Sequence, residues 1–164
     1  MSTSLKNLLS LKMKIVYLTD NTDFSELSLT VYDTKGQNKY GTMYMLEDKV
    51  EFVTSEQITD YYVFTSEGGK TFLCVKSPQL SNAFKGMTER FQKEQGFEFR
   101  PEKERLYIRM TPDQCLAIPK NQKINISVHV YGIFYQTSTK ISFLQMEFSG
   151  FKAYPRVDFD AVFS

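Results

Sequence analysis

The chain has no tryptophan, one histidine and two cysteines, and no apolar run long enough to cross a membrane. Each shortage removes a class of protein. Cys74 and Cys115 lie far apart among apolar neighbours, so they make neither a disulfide framework nor a zinc site. Their free state fits a reducing compartment. His129 stands alone mid-strand in Ile126-Ser127-Val128-His129-Val130, where a histidine is more often structural than catalytic. H-E-x-x-H, Cys-x-x-Cys, P-loop, G-x-G-x-x-G and G-x-S-x-G are all missing, so no enzyme is expected and no cofactor is implied. No signal-peptide pattern opens the sequence. The expected setting is intracellular, in a cytoplasm or the nucleus of a host cell, without membrane attachment. Repeats, low-complexity blocks and Pro/Gly-rich linkers are missing too. One domain is expected over residues 1–156, followed by a short tail at 157–164.

Aromatic residues are plentiful. Fourteen Phe and ten Tyr make 15% of the chain, enough to fill a β-rich core or to furnish exposed stacking platforms. The net charge is only +1 but is unevenly spread. Residues 100–156 carry nine basic and four acidic side chains, whereas residues 20–99 carry eight basic and thirteen acidic ones. Local positive patches can therefore form without a global basic field.

Strands are expected near 12–19, 26–33, 40–46, 49–55, 60–66, 70–76 and 105–110, where β-branched and aromatic residues recur between turn signals. Turns are expected at Asp33-Thr34-Lys35-Gly36 and at Glu67-Gly68-Gly69-Lys70, the second closing a tight hairpin. Residues 3–11 read as a short helix or an extended lead-in. Between Ser81 and Gly96 the period changes. Ala83, Phe84, Met87 and Phe91 share a helical face, with Ser81 as N-cap and Gly96 as stop. A long hairpin follows, from Ile124 to Phe134 and from Lys140 to Tyr154. This order predicts a mainly β fold: a small Greek-key barrel of the oligonucleotide/oligosaccharide-binding (OB) type, with one packed helix near 81–95 and a long C-terminal β-hairpin. The rival is a β-sandwich with an inserted helix.

The segment Arg105-Leu106-Tyr107-Ile108-Arg109-Met110 is the strongest functional signal. On a strand, Leu106, Ile108 and Met110 form one apolar face, and Arg105, Tyr107 and Arg109 form the other. A cation for phosphate beside a ring for a base is what single-stranded nucleic acid requires. The pattern recurs at Lys70, Phe72 and Lys76, at Tyr40 and Tyr44, and at Lys152, Tyr154 and Arg156. Each segment also has a plainer explanation: solvated charges on a half-exposed strand, Phe72 in the core, Tyr40 and Tyr44 in ordinary cross-strand packing. Carboxylate pairs such as Glu47-Asp48 and Glu102/Glu104 fall in expected turns, as solvated charge. A two-metal nuclease built from scattered carboxylates stays open as a third reading.

Pro155 should help end the last strand, and an acidic, aromatic tail follows, with Asp158, Phe159, Asp160 and Phe163. This tail resembles that of single-stranded DNA-binding proteins, which ends in or near Phe and recruits replication and repair partners. It departs from that pattern in having two acids, a terminal Ser164 and no long linker. The alternative is that Phe159 and Phe163 pack onto the body. Over roughly residues 12–164, the element order, the aromatic–basic faces and the tail together resemble an OB-fold single-stranded DNA-binding protein of the compact viral or phage sort. The resemblance implies sequence-nonspecific binding of single-stranded DNA in replication, repair or recombination, with partner proteins at Asp158, Phe159, Asp160 and Phe163. A homo-oligomer paired through the edges of the long hairpin is expected beside it. The competing function is a β-sandwich interaction or structural module, such as a viral assembly component, with no nucleic-acid binding.

Overall fold

The computed structural model describes residues 13–22, 27, 28, 30–100 and 104–154. These residues include eight strands: β1 (Met13–Tyr17), β2 (Val31–Gln37), β3 (Gly41–Val53), β4 (Tyr61–Thr65), β5 (Thr71–Val75), β6 (Leu106–Met110), β7 (Ile124–Gln136) and β8 (Ile141–Ala153). Among the described residues two helices, α1 (Pro78–Gln95) and α2 (Pro112–Ala117), interrupt them. The strands form one mixed sheet in the order β1-β3-β7-β8-β6-β5-β4, with β2 also paired to β3. Two neighbour pairs, β1–β3 and β6–β8, are parallel.

The mainly β class is as expected, but the sheet is open and not the closed barrel that an OB-like fold requires. The apolar face is covered by α1 instead of being rolled onto itself. Phe84 meets Phe52 edge-on with ring centroids 6.0 Å apart, and Leu80, Ala83, Met87 and Phe91 join the same core as Leu73, Ile108 and Val128. Helix and sheet thus make two layers around one core.

The helix starts at Pro78, with Ser77 as its cap in place of Ser81. The Ser77 hydroxyl accepts from the Leu80 amide at 3.2 Å and donates to the Glu56 carboxylate. Proline at the first helical position suits this start, because its missing N–H has no intrahelical partner to lose. Gly96 ends the helix at φ 77°, as its sequence position predicts. The short helix α2 was not expected. Its signal is a capping box, in which Thr111 accepts from the Gln114 amide and the Gln114 side chain accepts from the Thr111 amide.

The segments 40–46 and 49–55 join into the single strand β3, whose register shifts between Met45 and Val50. Glu47 and Asp48 therefore lie within a strand, not in a turn. β2 likewise runs through Asp33–Gly36, with its own register shift there. The long hairpin forms as expected, with β7 and β8 paired from Ile124/Ala153 to Gln136/Ile141 and register shifts between Ser127 and Val128 and between Val130 and Gly132. It lies inside the sheet, with β3 beyond β7 along much of its length and β6 beside β8 at the pair Arg109/Glu147. Residues 3–11, Arg156 and the tail residues Asp158, Phe159, Asp160 and Phe163 lie outside the described residues.

Candidate nucleic-acid interface

Strand β6 alternates as its sequence dictates. Leu106, Ile108 and Met110 are buried against the helix layer, while Tyr107 is 51% exposed and Arg109 is exposed on the opposite face, which no helix covers among the described residues. Antiparallel register then fixes what stands beside them: Cys74 lies opposite Tyr107 and Phe72 opposite Arg109, while on the next strand Tyr62 lies opposite Cys74 and Phe64 opposite Phe72. Three short strands thereby build one aromatic platform. Phe64 sits 6.1 Å from Tyr107 and 6.5 Å from Phe72, centroid to centroid. Beneath it Cys74 is fully buried.

Cations rim this platform. The Arg109 guanidinium lies 5.5 Å from the Phe72 ring centroid, and that of Arg105 lies 5.8 Å from Tyr62. Arg105 is also held by Asp60 at 2.8 Å, and this hydrogen bond raises its already high pKa. Lys76 is held by Glu104 at 2.6 Å, which lowers the Glu104 pKa. Arg109 forms no ion pair among the described residues. Its register neighbour Glu147 instead meets the His129 imidazole at 3.0 Å. Lys70, exposed at the end of the β4–β5 hairpin, is likewise unpaired among the described residues. Tyr62 has its phenol pKa pushed up to about 12, chiefly by its interaction with Cys74, then by desolvation and by Tyr107. The platform phenol is therefore neutral throughout the physiological range.

Arg105, Tyr107, Arg109, Lys70, Phe72 and Lys76 thus gather on one side of one sheet segment. The other sequence candidates lie elsewhere. Tyr44 packs on the helix side, 5.3 Å edge-on to Phe97, and does not share a face with Tyr107. Tyr40 is 63% exposed before β3, under the Lys39 ammonium at 5.0 Å, with three strand spacings between β3 and β6. Lys152 is exposed near the end of β8, beyond β6, and the Tyr154 hydroxyl is tied to the Asn125 side chain. Tyr62 and Phe64 were not singled out from sequence. The Gly68-Gly69 hairpin carries the signal that finds them, because its three-residue turn sets Phe64 opposite Phe72.

The platform opens at one end into a cleft of about 600 Å³, lined by Arg109, Thr111, Gln114, Glu147 and Ser149 among others. Among the described residues no three of His, Cys, Asp and Glu converge as a metal site, and no helix is long and apolar enough to cross a membrane. The chain matches no protein-family model, no curated protein and no solved structure.

Proposed function

We propose that the protein binds single-stranded DNA with little sequence preference on the face of β4, β5 and β6 that carries Tyr107 and Arg109, in support of replication, repair or recombination. The observation that carries this reading is the exposed Tyr107 beside Phe64, Phe72 and an Arg109 that has no ion pair among the described residues. Bases stack on the rings, and phosphates exchange their counterions for Arg109 and Lys70. Binding involves no chemical step and no cofactor. The acidic tail would recruit partner proteins. The likeness to OB-fold proteins enters only through their use of a sheet face, since an exposed cationic–aromatic surface does not need a closed barrel.

The test is fluorescence anisotropy with labelled oligo-dT and its duplex counterpart at low and moderate salt. Tight, salt-sensitive binding to the single strand supports the reading. No binding at low salt, even after deletion of residues 157–164, rejects it. The protein-interaction reading would then lead. It is favoured by one observation: β4 exposes Tyr62, Val63 and Phe64 at the sheet edge.

A further inference from the structure

β4 is the last strand of the sheet, and among the described residues nothing pairs with its outer side. Which of its backbone groups face outward follows from the flanking hydrogen bonds. The Lys76 amide donates to Asp60 O at 3.0 Å, and the Ser66 amide donates to Lys70 O at 2.8 Å. In an antiparallel ladder hydrogen-bonded pairs alternate. Residues 60, 62, 64 and 66 therefore bond to β5, and Tyr61, Val63 and Thr65 direct their N–H and C=O groups away from the sheet. Free sheet edges are normally blunted by charge, proline or a bulge. Tyr61-Tyr62-Val63-Phe64-Thr65 has no charged residue and no proline, and its register with β5 is unbroken.

We infer that β4 pairs antiparallel with β4 of a second copy, about a two-fold axis at Val63. Self-pairing of one strand gives the closed, isologous symmetry commonest among oligomers. The sequence suits this register. Val63 faces its own copy in a hydrogen-bonded pair, and Tyr61 faces Thr65 of the second copy. Tyr62 faces Phe64 of the second copy in the closer, non-hydrogen-bonded spacing, where aromatic cross-strand pairs add stability. The charges beyond the strand do not meet their like, because Asp60 falls opposite Ser66, and Glu67 opposite Thr59. The axis is perpendicular to the sheet, so both helix layers stay on one side. The rings of Tyr62, Phe64, Phe72 and Tyr107 in the two copies then form one continuous surface. The pairing does not rest on the nucleic-acid reading, and it places the oligomer edge at β4, apart from the long hairpin.

The experiment is sedimentation velocity on the full chain, without nucleic acid, at about 100 μM, a concentration at which micromolar association is saturated. The expected result is a dimer of the 19.1 kDa chain. Val63→Pro removes an outward N–H, so it should give a monomer with unchanged circular dichroism, melting where the diluted, dissociated wild type melts. Val63→Lys and Val63→Glu should each be monomeric and should associate when mixed, because position 63 faces itself across the axis. A monomeric wild type contradicts the proposal. So does a dimer that survives Val63→Pro and Val63→Lys. A wild-type monomer that dimerises once residues 155–164 are deleted would assign the edge to the chain's own tail instead.

Discussion

Phe72 and Arg109 face each other across β5 and β6, and the Arg109 guanidinium lies 5.5 Å from the centre of the Phe72 ring. The ring holds the cation on the exposed face without neutralising it, and no carboxylate pairs with it among the described residues. A guanidinium held this way is ready to meet a phosphate while its flat face continues the aromatic surface.

Arg109→Ala should weaken oligo-dT binding and reduce the salt slope by about 0.7, the share of one single-strand phosphate contact. Tyr107→Ala should weaken binding by roughly tenfold or more, in line with a lost stack of about 1–3 kcal/mol, and leave the salt slope nearly unchanged. Anisotropy titrations at several salt concentrations separate the two effects. Equal changes in slope would mean that the two residues do not divide the work between charge and stacking.

Tyr44 gives the control. It packs on the helix side against Phe97, so Tyr44→Ala should cost about 1–3 kcal/mol of stability in urea denaturation through lost packing. Oligo-dT affinity of the folded variant should stay within about twofold of wild type, because the removed ring is not on the face that stacks bases. A large loss of affinity with no loss of stability would place the binding face on the wrong side of the sheet.

Glu104 competes with phosphate for Lys76. Glu104→Gln should tighten oligo-dT binding by roughly twofold to fivefold at low salt by releasing that cation. The pH dependence follows from the lowered Glu104 pKa. Because the folded value lies below the unfolded one, the ion pair's contribution is complete above the ordinary carboxylate range and fades as pH falls through the folded value. Both partners are exposed, so the effect on stability is small. Binding should strengthen as the carboxyl protonates, and this step should be missing in Glu104→Gln. Carboxyl NMR of Glu104 should also show its titration moving up toward the ordinary range in Lys76→Met.

Ser77 caps α1 while fully buried, and its hydroxyl serves both Leu80 and Glu56. Ser77→Ala should cost about 1–2 kcal/mol, measured by chemical denaturation, because it leaves a helix amide and a carboxylate without this partner. A cost near zero would mean that water replaces the hydroxyl there.

The sequence reveals most where one strand decides the matter alone. The alternation in Leu106–Met110 sorts core from surface because a period of two leaves only two faces, and one of them is apolar. The same reasoning puts Tyr40, Thr42 and Tyr44 together but cannot say toward which layer they point. Thr42 is buried and Tyr44 meets Phe97. The contribution of Phe64 depends on a hairpin register, which the double-glycine turn encodes only once both strands are placed. The open sheet was hardest to foresee, because the parallel pairs β1–β3 and β6–β8 join segments far apart in the chain. No local pattern reports such pairings. The main change at the helix start was modest, since Ser77-Pro78 and Ser81 are both competent starts by composition, and burial of Leu80 favours the earlier one.

The most direct test of the account is ultraviolet crosslinking of the wild-type protein to oligo-dT, followed by mass-spectrometric mapping of the modified residues. The account predicts crosslinks at Tyr107 and at Phe72 or Phe64, competed by unlabelled single strand and not by duplex. Crosslinks confined to the helix side, as at Tyr44, or no crosslinks above the duplex control, would contradict it.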